Sequence, residues 1–344
     1  MIYAPFVVPT LNRSEKFIRM MESLKKNSWA CYTDVIVSVD FPPSEKYRKG
    51  RQEILDYLEQ GDFSAFKQLV VIKQSENLGA GKNGYFLKTY IEQHHYDRWI
   101  RCDDDCEFSP NFLEYMDKCL DAFENDESVA AVTGYSYPIE WSFSEGATCM
   151  KQQFNASMWG MGRWVKKADE IREYIRTRKL LDDAEMVIKT GRHKKMQARS
   201  YVQYFNQVTS NKNDIGKLRM TTFTDIAFRA YLACQDKYCV SPTLSKVKNY
   251  GFDGTGVVCG NTIGLDNTTV NTYDYRKQEI DHSDHFDIVL NDPKLLHENK
   301  LKMDAFEGIS KRDLRLASIK VAMIRLFGVK FAKKVMAIVN PKKR

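Results

Sequence analysis

Apolar runs rich in β-branched residues alternate with amphipathic stretches over the first 135 residues of the chain. The runs Y-A-P-F-V-V (3–8), D-V-I-V-S-V (34–39), L-V-V-I-K (69–73), R-W-I-R-C (98–102) and V-A-A-V-T-G (129–134) read as strands. Between them the spacing predicts helices at about 13–27, 45–60, 82–93 and 111–124. Buried strands separated by helices predict an α/β fold with a mostly parallel sheet covered on both faces. In open sheets of this kind, ligands bind outside the carboxyl ends of the strands. Those ends lead into P-T-L-N-R (9–13), V-D-F-P-P (39–43), S-E-N-L-G-A-G-K-N-G (75–84) and D-D-D (103–105). One polar loop says little, because loops are polar anyway; four along one edge predict a binding rim.

Further along, residues from about 163 to 210 are helical in pattern and highly charged, which predicts an insertion packed on the sheet or a solvated helical hairpin. T-T-F-T-D-I-A-F-R-A-Y (221–231) reads as a helix start, Y-C-V-S-P (238–242) as a strand and N-Y-G-F-D-G-T-G (249–256) as a glycine-rich loop. The expected layout is a domain over 1–265, an irregular connection over 266–310 and a basic helical tail over 311–344. Residues 314 to 327 are apolar nearly all round and predict packing on protein. In 329 to 339, Lys330, Lys333 and Lys334 share one face with Val, Phe and Met opposite. Such a short basic amphipathic helix suits the surface of an anionic membrane, the alternative being a plain solvated helix.

Charge sharpens this division. Residues 311–344 hold 11 Lys/Arg and one acid, a balance of +10, while the remaining 310 residues sum to −3. A near-neutral body without basic residues mixed among aromatics over a folded face argues against nucleic acid as a partner. With 344 residues and 43% hydrophobic content, the chain can bury one large α/β domain with an extension, or two domains. No apolar run approaches the roughly 20 residues that span a bilayer. The start, M-I-Y-A-P-F-V-V-P-T, reads as a first strand and not as a signal peptide. Eight scattered cysteines without a C-x-x-C read as reduced thiols. The expected location is the cytoplasm, with peripheral contact to the inner face of the cytoplasmic membrane through the tail.

The candidate chemistry centres on W-I-R-C-D-D-D-C-E-F-S-P-N-F-L-E-Y (99–115). Three adjacent carboxylates at a strand mouth raise the cost of ionising one another, which a solvated turn or a bound cation relieves. Magnesium and manganese favour such oxygen donors and often share them with substrate phosphates. A diphosphate leaving group needs such an ion, and so does the scissile group of a magnesium-dependent hydrolase, so the trio alone leaves the reaction open.

The same stretch resembles the acidic D-x-D-type signature of GT-A glycosyltransferases, with motif similarity to the E-D-D…P-D-F-F-E-Y form of N-acetylglucosaminyltransferase I. N-L-G-A-G-K-N-G (77–84) is similar to a segment of bacterial family 2 enzymes. M-W-G-M-G-R-W (158–164) resembles the W-G-W-A-T-W block of a bacterial group labelled hemolytic-protein-like glycosyltransferases. T-D-I-A-F-R-A-Y followed by S-P-T-L-S-K-V-K-N-Y-G-F-D-G-T-G resembles that group's W-D-x-x-W…G-F-D-G-S-G pattern, so the likeness runs from about residue 3 to 260. Two departures stand out: Val258 replaces the group's histidine, and Thr224 stands where an aromatic would precede the aspartate.

The resemblance implies a GT-A type Rossmann-like sheet and a transferase that moves a sugar from a nucleotide-diphosphate donor, UDP-sugar first among the candidates. Its acceptor would be a hydroxyl of a glycan or lipid-linked glycan in surface polysaccharide synthesis, transferred to with inversion. Mn2+ or Mg2+ would be held by Asp105 and Asp103. Thr10, Asn12, Arg13, Asp40, Asn77, Lys82, Asn83 and Asp104 would meet the nucleotide. Asp225 would be the base that takes the acceptor proton, or an ordinary helix cap. Trp159, Gly160 and Gly162 would line the sugar or acceptor. The rivals are a sugar-nucleotide pyrophosphorylase, whose G-G-x-G-T-R-L-type loop is not what P-T-L-N-R offers, and a non-catalytic carbohydrate-binding protein on the same scaffold.

Overall fold

The computed structural model describes residues 1–154, 156–177, 180, 184–209, 225–255 and 278–339. Its frame is an eight-stranded sheet in the order β3-β2-β1-β4-β8-β6-β9-β7. The strands are β1 (Phe6–Thr10), β2 (Asp34–Val39), β3 (Gln68–Lys73), β4 (Arg98–Arg101), β6 (Val129–Thr133), β7 (Cys149–Gln152), β8 (Met161–Trp164) and β9 (Tyr238–Pro242). β1 pairs in parallel with β2 and β4, β2 with β3, and β6 with β9. β8 runs antiparallel between β4 and β6, and β7 antiparallel beside β9, so six strands share one direction. A separate antiparallel pair joins β5 (Cys106–Phe108) to β10 (Val247–Asn249).

Alternation along the first strands explains why both faces are covered. Phe6 and Val8 of β1 join Val35, Val37 and Val39 of β2 on one side, whereas Val7 and Ile36 point to the other. The first side takes α1 (Ser14–Lys25), α2 (Arg48–Gln60) and α4 (Phe112–Ala122) through residues such as Phe17, Ile54 and Phe112. The second takes α3 (Gly79–Gln93) and α5 (Val165–Thr177) through Leu87, Ile91 and Ala168. Full burial of an aromatic or aliphatic side chain contributes about 1.5–3 kcal/mol, so these two faces fix the strand register.

A second apolar cluster gathers α5, α6 (Ala184–Lys189), α7 (Ala198–Val208), α8 (Asp225–Gln235) and α10 (Lys311–Val339). The charged segment after residue 163 therefore packs as part of a helical layer. The connection expected to be irregular contains α9 (Leu296–Glu307), whose Met303 is buried in the main core. The seven described cysteines are free thiols. α10 breaks at Gly328, where φ is +79°, a conformation that suits glycine. The orphaned N–H of Val329 donates to Glu185 Oε1 of α6 at 3.1 Å.

Among the described residues, no helix is long and apolar enough to cross a membrane.

Candidate active site

The sheet brings the ends of β1, β2 and β4 side by side. β4 ends at Arg101, the chain turns through Asp103, Asp104 and Asp105, and β5 begins at Cys106. Because β1 is the parallel neighbour of β4, Thr10 at its end donates from Oγ1 to Asp104 Oδ2 at 2.7 Å. Arg13, just before α1, lies across the acids. Its Nη1 donates to Asp105 Oδ2 at 2.7 Å and its Nη2 to Asp104 Oδ1. The Asp104 and Asp105 side chains are only 7% and 10% exposed, and that of Arg13 22%, so this fork is largely shielded from water.

The glycine-rich loop closes the other side. Asn249 at the end of β10 donates from Nδ2 to Asp105 Oδ1 at 2.9 Å, and its own Oδ1 accepts from Gly251 N at 2.8 Å. The N–H of Tyr250 donates to the Asp105 carbonyl at 2.8 Å. A Cβ on Gly251 would stand 2.2 Å from Asp105 Oδ2, so only glycine allows this approach. Lys16 and Arg19 of α1 hold the loop, the first by a 2.7 Å ion pair to Asp253 and the second over the Tyr250 ring. None of these loop residues stood out as a site residue in the sequence; the signal was the N-Y-G-F-D-G string itself.

Asp103 differs from its neighbours. Its side chain is 37% exposed and its nearest cation is Arg101 at 3.6 Å. Desolvation, with Asp105 and Asp104 close by, pushes its carboxyl up to about 6 against the pull of Arg101. Burial likewise raises the Asp104 carboxyl despite Arg13. Two arginines, Arg13 and Arg101, pair with three carboxylates, so the described cations leave the trio one positive charge short. Among the described residues, no three acidic, His or Cys side chains converge as a complete metal cage. Two carboxylates completed by phosphate oxygens and water are the usual magnesium arrangement, and the donor chemistry here fits it.

The second strand end works differently. Asp40 Oδ1 accepts from Phe41 N and Leu78 N, each at 2.9 Å, and its Oδ2 from Gly79 N at 2.8 Å, so its carboxylate shapes the turn into α3. Asn77 donates to the Phe41 carbonyl at 2.6 Å in the same turn. Asn83 is 1% exposed, with Oδ1 taking the Ser38 hydroxyl at 2.5 Å and Nδ2 donating to the Ser38 carbonyl at 3.2 Å. It is a strut between α3 and β2. Lys82 is exposed on the first turn of α3, and Asn12 is half-buried beside α2.

Trp159 is half-buried, edge-on to Tyr135 at 4.8 Å and to Phe252 of the glycine-rich loop at 5.6 Å. The loop thus connects it to the acidic trio. Gly160, with φ of +64°, and Gly162 face inward, where a Cβ would meet the Phe112 ring at 2.7 Å and Leu120 at 3.1 Å. Packing on α4 accounts for both glycines. Asp225 opens α8, but its side chain lies outside the described residues, as do Thr224 and Val258. One turn on, Phe228 lies under the Arg163 guanidinium, which also reaches Met158 next to Trp159. Arg163 thus links the second turn of α8 to the residue before Trp159.

Comparison with known proteins bears on this edge. The description "Glycosyl transferase family 2" matches residues 6–186, which include the β1, β2 and β4 ends and the whole acidic trio. A search of the curated proteins gave no match. Among solved structures, S. aureus TarS is 13% identical over 49% of this chain and 30% of its own, with a TM-score of 0.34. S. aureus TarS 1–349 in complex with UDP is 15% identical over 49% of each chain, with a TM-score of 0.33. A cytidylyltransferase from Leptospira borgpetersenii is 11% identical over 50% of this chain and 65% of that one, at 0.29. The chain thus spans less than two thirds of the length of each of these neighbours, and likenesses this low add nothing to the family match. The α/β sheet and the matched segment together make this chain a member of glycosyl transferase family 2.

Proposed function

We propose that this family 2 member is a metal-dependent glycosyltransferase that moves a sugar from a nucleotide diphosphate to a glycan hydroxyl with inversion. The observation that carries this reading is the trio of carboxylates, paired with only Arg13 and Arg101 among the described residues, beside Thr10 at the carboxyl ends of a family 2 sheet. Asp105 and the more exposed Asp103 hold Mn2+ or Mg2+ there. When bound, the cation neutralises the charge that gathers on the departing diphosphate, worth several kcal/mol to the transition state. Asp104 is kept in place by Thr10 and Arg13 and faces the nucleotide. Asn12, Asn77 and Lys82 line the nucleotide side, while Asp40 and Asn83 fix the turn and helix that present them.

Trp159 covers one face of the sugar, with Gly160 and Gly162 giving its backbone a close seat on α4. Asp225 accepts the proton of the acceptor hydroxyl as that oxygen attacks the anomeric carbon. The acceptor is a growing surface glycan, free or lipid-linked, and the donor a UDP-sugar. The test is hydrolysis of a panel of nucleotide sugars without acceptor, with and without manganese. Manganese-dependent release of a nucleoside diphosphate from one donor is the expected result. Equal rates after chelation would overturn metal dependence, and silence across the panel would overturn the donor class.

A further inference from the structure

We propose that the outward face of α10 is a docking surface for an anionic phospholipid bilayer. Ala317, Ile324, Val329 and Ala332 seat this helix on the helical layer around α6 and α7. Large apolar side chains are exposed on its outward side as well: Leu326 is 71% exposed, Phe327 61% and Ile338 77%, with Leu316, Ile319 and Phe331 also exposed. A monomer rarely leaves so many large apolar side chains together in water without a partner. The sequence pattern suggested that residues 314–327 pack all round and that phenylalanine lies opposite the lysines. The structure instead leaves a stripe open on 314–327 and sets Phe331 on the exposed side with Lys330 and Lys334.

The stripe is continuous across the break at Gly328, because the rings of Phe327 and Phe331 meet with centroids 4.8 Å apart. Arg312, Arg315, Lys330 and Lys334 are exposed around it. Charge decides the occupant. A second copy of the helix would bring another eight cations against one acid, so two such faces repel, whereas anionic headgroups attract them. A helix with one face on protein and too polar to span lies in the interface plane, with its apolar side chains among the acyl ends. This inference is independent of the sugar-transfer reading, since none of these residues belongs to the candidate site.

The test is flotation of the full chain with vesicles of phosphatidylcholine alone or mixed with phosphatidylglycerol. The parent floats with the mixed vesicles and stays behind with the neutral ones. Changing Lys330→Gln with Lys334→Gln lowers partition about thirtyfold, each surface cation supplying roughly a fivefold factor. Phe327→Ser with Phe331→Ser abolishes flotation and, because both rings are exposed, leaves the circular dichroism spectrum and nucleotide-sugar hydrolysis in solution as they were. Equal flotation with neutral vesicles, or none with either, overturns the proposal. So does sedimentation showing a dimer that the serine variant dissolves. Hydrolysis measured on the same samples tells a failed membrane surface from a failed catalytic reading.

Discussion

Replacing Arg13 with glutamine tests how the acidic edge is held together. The guanidinium makes one bond to each of two buried carboxylates, 2.7 Å long to Asp105. Hydrogen bonds to charged groups contribute about 1.5–3 kcal/mol each, and removing one partner of a buried ion pair costs about 3–5 kcal/mol. Two features hold the loss to the low end. Arg13 is 22% exposed, so it was never fully desolvated, and one aspartate can take up a proton. Neutralising a carboxyl of ordinary pKa at neutral pH costs about 4 kcal/mol, which bounds the penalty from above. Arg13→Gln should therefore destabilise the metal-free protein by about 3 kcal/mol, or roughly 4 °C in Tm for a chain of this size.

Urea denaturation and thermal melts measure the loss, and a double-mutant cycle with Asp104→Asn assigns it. The two changes should couple by about 2 kcal/mol, because the asparagine removes the charge that Arg13 leaves stranded. Saturating manganese should return part of the lost stability in Arg13→Gln, since a cation on the same oxygens takes over the arginine's electrostatic role. A variant melting within about 1 °C of the parent, or strictly additive losses, would refute the reasoning.

Other expectations follow from the same geometry. Gly251→Ala forces a methyl onto Asp105 and should cost several kcal/mol of the metal-assisted nucleotide binding, read by titration calorimetry, with wild-type affinity sinking the idea. Asp225→Asn should lower kcat about 10²–10⁴-fold while leaving donor binding intact; a normal kcat would leave this residue a helix cap. Burial pushes the Asp117 carboxyl up to about 7, against the bond from Ala4 N and the nearby Arg98. Between about pH 4 and the folded pKa, the native state holds this proton and the unfolded chain does not, so this group makes stability fall as pH rises through that window and level off above it. Asp117→Asn should flatten that slope in urea midpoints taken across the window, and an unchanged slope would contradict the assignment.

Much of this architecture is written locally in the chain. β1, β2, β4 and β6 carry β-branched or aromatic residues buried on both faces, and β3 is a half-buried apolar run at the sheet edge, so pattern alone locates them to within three residues. β7 and β8 escape such reading. C-M-K-Q and M-G-R-W are short, mixed in polarity and antiparallel, and their place depends on neighbours distant in sequence. The helix α9 hides for a similar reason, since its apolar residues form no clear stripe. At the site, the acidic trio and Thr10 were legible because strand ends in a parallel sheet point to one edge. Asn249 was not, because it meets Asp105 across 144 residues of chain. Nor does sequence tell that Asp40 and Asn83 bond inward, while Arg13 turns onto the acids; those choices belong to tertiary packing.

The most direct measurement is a thermal-shift titration of UDP, with and without manganese, on the parent and on Asp105→Asn. A ligand at a hundredfold its dissociation constant adds about 2.7 kcal/mol to stability. The account predicts that UDP raises the parent's melting temperature only when manganese is present, and that Asp105→Asn abolishes this gain. Equal stabilisation of both proteins by UDP and manganese would contradict it.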